Sequence, residues 1–264
     1  MEARPLLRRA PPTDEHRRPF VSDMLGKRSL YFTISAIQSR FDLERPDRLD
    51  LEYTRLMAAF LLVHPAPRAI AMIGLGGGSL GRFCRRVVPQ AHIAIAEINP
   101  HVIALRDRFG VPPDDERFVV VPADGAEFVQ RLDGRADVLL VDGYTAQGLP
   151  RQLSSQAFFD DCAAALSPGG VLVANVFAGD KRCAQVEERI RRSFTSLTWV
   201  VRDTDSVNRI VFAVRAPTDG NSRWHPTGVR LAPLRRPPTI EPAEWRLLQG
   251  PFARVLGAWK ETFS

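Results

Sequence analysis

The residues best suited to chemistry recur through the middle of the chain, each directly behind an apolar run. Ile73-Gly74-Leu75-Gly76-Gly77-Gly78-Ser79-Leu80 comes first. Glycines without Cβ atoms let a backbone approach a ligand closely, and a helix opening behind them offers free N–H groups. A tight strand-to-helix turn with no ligand would use the same pattern. Glu97 ends the next run, about 20 residues on, where a carboxylate can accept both hydroxyl hydrogen bonds of a ribose. Asp124-Gly125 follows a third run; Asp124 can accept from an adenine amino group or cap a helix through Phe128, and the two are compatible. Asp142 ends the fourth run, at the edge where open α/β sheets hold their reacting atoms. Before Gly143 it is equally a turn former. Four such positions in succession point to a site for an S-adenosyl-type nucleoside.

A parallel sheet must position these residues. Ala69–Ile73, His92–Glu97, Phe118–Pro122 and residues 137–142 and 171–177 read as strands apolar on both faces, as a sheet covered by helices requires. Between them, Asn99 caps a helix with Pro100 at its first position and Gly110 beyond its end. Ser154 or Ser155 caps a helix ending near Leu166, and Asp180 caps one running towards Phe194. Residues 197–202 and 209–214 flank a short polar turn as an antiparallel hairpin. The expected fold class is α/β: a Rossmann-like, mostly parallel seven-stranded sheet ending in an antiparallel hairpin, the layout of S-adenosylmethionine-dependent methyltransferases. Ahead of it, residues 29–43 alternate apolar and polar and predict a small β-hairpin unit. Residues 52–63 predict a helix stopped by His64-Pro65-Ala66-Pro67. The chain thus divides into a disordered basic tail (1–19), a small N-terminal β unit (20–50), the Rossmann-like domain (51–214) and a Pro/Arg-rich extension (215–264), in which residues 245–259 suit one helix.

Composition excludes several classes. The net charge of +6 belongs to the ends: residues 1–28 carry seven Lys/Arg against four Asp/Glu, and residues 221–264 carry seven against three. Without aromatics interleaved in a basic stripe, no nucleic-acid partner is expected. No apolar stretch is long enough to span a membrane, and no apolar run follows Arg4, Arg8 and Arg9, so neither a membrane nor a secretory route is expected and the cytoplasm is the default. Cys84, Cys162 and Cys183 have no close spacing and the five histidines form no paired motif. No disulfide framework or metal site is expected, and the cysteines read as small buried hydrophobes.

Over residues 29–214 the chain resembles the spermidine synthase (polyamine aminopropyltransferase) family. Ser35-Ala36-Ile37-Gln38 is similar to its hairpin segment, whose glutamine lies against the nucleoside. Leu51-Glu52-Tyr53-Thr54-Arg55-Leu56-Met57 resembles its helix beginning with a substrate-contacting tyrosine. The resemblance implies a nucleoside site formed by Gln38, Gly74, Gly76, Gly77, Gly78, Glu97, Asp124 and Gly125, with Asp142 as catalytic base and Tyr53 as an orienting group. The cosubstrate it implies is decarboxylated S-adenosylmethionine, with no metal; the acceptor is a small amine such as putrescine, and the assembly a homodimer. Aminopropyl transfer is attack by an amine on a carbon next to a sulfonium, so the protein must desolvate and orient a deprotonated amine.

Departures gather on the acceptor side. Gly77 stands where the family's loop carries an aspartate, Thr145 where it has a second aspartate, and Ala146 where a proline follows. Residues 202–208 replace its Tyr-Pro-containing segment. Asp42, Glu44, Asp203 and Asp205 are the carboxylates available in compensation, each equally readable as a solvated loop charge. An aminopropyltransferase is the leading reading. A methyltransferase using S-adenosylmethionine itself, whose carboxylate Gly77 repels less than an aspartate would, and a nucleoside-binding protein without catalysis are the alternatives.

Overall fold

The computed structural model describes residues 16–33, 36–145, 148–195, 197–205, 207–216 and 231–263. Most of the basic tail, Ser35, Ala146 and residues 217–230 of the C-terminal extension lie outside them.

Where a hairpin was expected, three strands form an antiparallel meander: β1 (Phe20–Met24), β2 (Lys27–Thr33) and β3 (Ala36–Asp42). The alternation from Ser29 marked only the second and third. The first is a short edge strand with exposed Phe20 and Met24, and so lacks a buried face to reveal it. Lys27 and Arg40 both pair with the carboxylate of Asp50, which ties this sheet to the segment that follows.

The helix expected over residues 52–63 is two pieces, α1 (Glu52–Met57) and α2 (Phe60–Val63). At the join the backbone ladder tightens to i→i−3 at Ala59, Leu61 and Leu62, as short helical turns do. Next come β4 (Ala69–Ile73), α3 (Ser79–Val87), β5 (His92–Glu97) and α4 (Pro100–Ile103). Asn99 caps α4 by accepting from the His101 N–H at 2.9 Å, with Pro100 at its first position. That helix is shorter than predicted: its path continues as a 3₁₀ turn at Asp107–Phe109, which Gly110 ends with φ 60°.

Beyond lie β6 (Phe118–Pro122), α5 (Gly125–Gln130), β7 (Ala136–Val141), α6 (Gln156–Ala165), β8 (Leu166–Phe177), α7 (Cys183–Ser193), β9 (Thr198–Arg202), β10 (Asn208–Val214) and α8 (Pro242–Phe263). Of the two candidate serines, Ser155 caps α6 through the Phe158 N–H at 3.0 Å. Asp180 is not the cap of α7. It sits two residues ahead of Arg182, the residue at the cap position, and its carboxylate holds the Arg182 N–H and guanidinium.

The main sheet runs β6-β5-β4-β7-β8-β10-β9, parallel from β6 to β8 and antiparallel from there on. This is the expected fold class, with β10 inserted between β8 and β9. Successive residues of β4 supply opposite faces: Ile70 and Met72 pack with α3 and α8, whereas Ala71 and Ile73 pack with α5, α6 and α7. All three cysteines are buried and free. Among the described residues no helix is long and apolar enough to cross a membrane.

Candidate active site

Strand order reverses between β4 and β7, and in open α/β sheets the crevice beyond the carboxyl ends at such a point is where ligands sit. A cleft of about 1160 Å³ opens there. The chain enters it from five directions: the glycine loop after β4, the ends of β5 and β6, the turn after β7, the small sheet with α1, and the end of β8 with the turn between β9 and β10.

Gly74 leaves β4 with φ 93°, and a Cβ on it would meet the Asp142 carbonyl at 2.3 Å, so β4 and β7 close together only around a glycine. Gly76 lines the cleft beside it. Gly77 and Gly78, expected to face the ligand, lie behind the loop and do not line the cleft. A Cβ on Gly77 would meet Ser39 Oγ at 2.6 Å and the Phe109 ring at 2.8 Å. The place of an acidic side chain is thus filled by the small sheet and the turn after α4. Arg82, buried in α3, holds the loop from behind through the carbonyls of Gly77 at 2.6 Å and Phe109 at 2.5 Å.

Glu97 is no solvated strand end. It is buried, and its two oxygens accept from Leu75 N–H and Asn99 N–H, both at 2.8 Å. Burial raises its carboxyl above the ordinary range, and those backbone donors pull the other way. The backbone N–H groups of Gly76 and Ile98 add to these donors, and the carboxylate lines the cleft. Asp124 caps α5 through Ala126 N–H at 2.7 Å, not through Phe128, whose N–H goes to the Asp124 carbonyl at 2.9 Å. Its other oxygen accepts no hydrogen bond among the described residues, and Asp124 and Gly125 both line the cleft. Glu97, Asp124 and the glycine loop therefore share one edge, as the spacing required.

Asp142 begins the turn after β7, its N–H held by the Ile73 carbonyl at 2.9 Å. Its carboxylate is gripped from two sides: Asn175 Nδ2 donates to Oδ1 at 2.9 Å and the Tyr53 hydroxyl to Oδ2 at 3.1 Å. The Gln38 carbonyl lies 3.3 Å from the same hydroxyl, so the small sheet, α1 and β7 meet at one proton. Burial pushes the Asp142 carboxyl up, against both hydrogen bonds, and pushes the Tyr53 phenol well above its usual value. Asn175 escaped the sequence reading. Its signal was a lone amide inside the otherwise apolar run of β8, and its Oδ1 is buried with no hydrogen-bond partner among the described residues. Tyr144 was missed as well; its hydroxyl accepts from the Phe177 N–H at 2.5 Å and ties the turn after Asp142 to the end of β8. No group of three or more His, Cys, Asp or Glu among the described residues is arranged to hold a metal ion.

A glycine loop pinned by one buried carboxylate, with a second carboxylate facing it across the switch point, defines a doubly wound α/β protein with an acid-lined cleft built for a small polar ligand. The spermine/spermidine synthase domain model matches residues 51–201, and the chain belongs to that family. It is 42% identical over 175 residues to a polyamine aminopropyltransferase of Chromobacterium violaceum, covering 66% of this chain and 67% of the relative. Two solved structures share the fold at 20% identity. One is a probable spermidine synthase from Corynebacterium glutamicum, with TM-score 0.66 over 80% of this chain and 81% of that one. The other is a spermidine synthase in complex with the transition-state analogue AdoDATO, with TM-score 0.60 over 93% and 88%.

Proposed function

We propose that the protein transfers an aminopropyl group from decarboxylated S-adenosylmethionine to a small diamine such as putrescine, releasing methylthioadenosine. The observation that carries this reading is Asp142: a buried carboxylate at the switch point, held by Asn175 and Tyr53 and facing a cleft large enough for a nucleoside and an amine together. Gly74, Gly76 and Gly125 give the nucleoside backbone room, Glu97 accepts its ribose hydroxyls, Asp124 its adenine amino group, and Gln38 lies against it. Gly77 and Gly78 shape the loop from behind.

In the reaction the amine lone pair attacks the carbon beside the sulfonium. That carbon–sulfur bond breaks, its electron pair leaves on sulfur as a neutral thioether, and the proton lost by the amine passes to Asp142. The sulfonium is its own leaving group, so no Lewis acid is needed. A carboxyl raised by burial narrows the gap to the ammonium it must deprotonate. Asn175 Oδ1, buried beside Asp142 with no partner among the described residues, supplies an acceptor for another N–H of the same nitrogen. On this reading the enzyme works in the cytoplasm as a homodimer, with no metal, membrane or nucleic-acid partner. Residues 51–214 are the catalytic unit, preceded in the chain by the small β unit of 20–50 and followed by the extension of 215–264.

The test is a paired thermal-shift titration with S-adenosylmethionine and its decarboxylated form, followed by a turnover assay with putrescine. Greater stabilisation by the decarboxylated form, with methylthioadenosine released, is the expected result. Tighter binding of S-adenosylmethionine would favour methyl transfer instead.

A further inference from the structure

A diamine brings two positive charges into the cleft, and a buried or half-buried ammonium needs a carboxylate. Asp142 serves the nitrogen that reacts. Glu97 at the end of β5 and Asp124 just beyond β6 lie across β4 from the ends of β8 and β10, and belong to the nucleoside side. Four other carboxylates were open from the sequence, and the structure separates them. Asp42 closes a turn by accepting from Glu44 N–H at 2.9 Å. Glu44 is exposed and outside the cleft. Asp203 is buried, with both oxygens engaged by its own loop: Val207 N–H at 2.8 Å, Asn208 N–H at 3.1 Å and Asn208 Nδ2 at 2.7 Å. Asp205 alone of the four lines the cleft, between β9 and β10, beside Val207 and Asn208 and on the same side as Phe177.

Its position is fixed by contacts that reach Tyr53. Thr204, the residue before Asp205, gives its N–H to Glu52 Oε2 at 2.9 Å and its hydroxyl to the same oxygen. Glu52, the residue before Tyr53, takes the Arg254 guanidinium of α8 on its other oxygen. One carboxylate therefore locks the turn bearing Asp205 to the helix bearing Tyr53, and Tyr53 in turn holds Asp142. The turn and α8 both lie beyond residue 201, where the match to the family model ends.

We infer that Asp205 receives the distal ammonium of the diamine, and that the Glu52–Thr204–Arg254 clamp sets its distance from Asp142. The inference rests on the proposed aminopropyl transfer, and its test is chosen so that the two can fail separately. Putrescine and n-butylamine are titrated into the whole chain saturated with methylthioadenosine, for the parent, Asp205→Asn and Glu52→Gln. Asp205 is exposed at the mouth, so loss of this charged contact weakens binding by up to about fivefold. Asp205→Asn is expected to raise the putrescine Kd by about that factor, and to leave those of n-butylamine and methylthioadenosine unchanged. Glu52→Gln is expected to weaken putrescine in the parent and to have little further effect once Asp205 is Asn. Equal putrescine affinity in the parent and Asp205→Asn, or equal loss of both amines, overturns the inference even if the parent turns over. A parent that binds putrescine through Asp205 but releases no methylthioadenosine from decarboxylated S-adenosylmethionine overturns the transfer reaction and leaves Asp205 standing. A parent that binds neither amine overturns both.

Discussion

At the level of single residues the chemistry turns on how Asp142 is kept both buried and ionisable. Desolvation raises its carboxyl, and the donations from Asn175 and Tyr53 lower it again. Deleting one donor while keeping the burial must therefore raise it further. A base is active when deprotonated, so kcat is lost as the pH falls through the Asp142 pKa. Asn175→Leu, which keeps volume and removes the donor, is expected to shift the acid limb of the kcat–pH profile to higher pH; an unmoved limb would mean that Asn175 does not act on Asp142. Glu97, Asp124 and Asp142 were legible because each ends an apolar run, a position that a parallel sheet converts into a place on one edge. Asn175 was not, because an amide inside a strand carries no spacing signal. Its role appears only when β7 and β8 pair and bring it against Asp142.

Among the elements, the glycine loop shows where sequence logic and packing part. Read along the chain, Gly77 is a missing carboxylate; in three dimensions it is a close approach, with Ser39 Oγ 2.6 Å and Phe109 Cδ1 2.8 Å from where a Cβ would sit. Restoring an acid there overpacks the contact between β3, the loop and the turn after α4. Gly77→Asp is expected to cost about 1–3 kcal/mol and to lower the Tm with no gain in amine affinity. A stable variant with tighter putrescine binding would refute this packing argument. The strands of the main sheet were read to within a residue or so, except that β8 begins earlier, at Leu166, because continuous apolar runs between Gly- and Pro-bearing turns leave little choice. The helices over residues 52–63 and 100–110 broke where backbone ladders tightened to 3₁₀ geometry, which periodicity does not resolve.

For the whole molecule, the described part of the C-terminal extension packs into the core and is not an appendage. Its described part contains α8, 22 residues long, where residues 245–259 were expected. Leu248, Phe252 and Val255 of α8 join the core cluster that includes Trp199 and Phe212, and Arg254 reaches Glu52 beside the cleft. Little of this region is legible in the sequence, since Pro and Arg dilute its apolar face and its partner surface comes from β9 and α1, distant in sequence. Phe252 is 1% exposed, so Phe252→Ala is expected to cost about 3–5 kcal/mol, seen as a loss of Tm for the entire protein in one transition. A separate early transition with the main unfolding unmoved would mean that α8 folds independently of the sheet.

The most direct test of the central claim compares the parent with Asp142→Asn in methylthioadenosine release from decarboxylated S-adenosylmethionine and putrescine, alongside methylthioadenosine binding. Loss of a positioned base is worth roughly 10²–10⁴ in rate. The account predicts turnover by the parent, a fall of that order in Asp142→Asn, and nearly unchanged nucleoside binding in both. Equal turnover by the two proteins, or a parent that binds the nucleoside and transfers to no diamine, would contradict it.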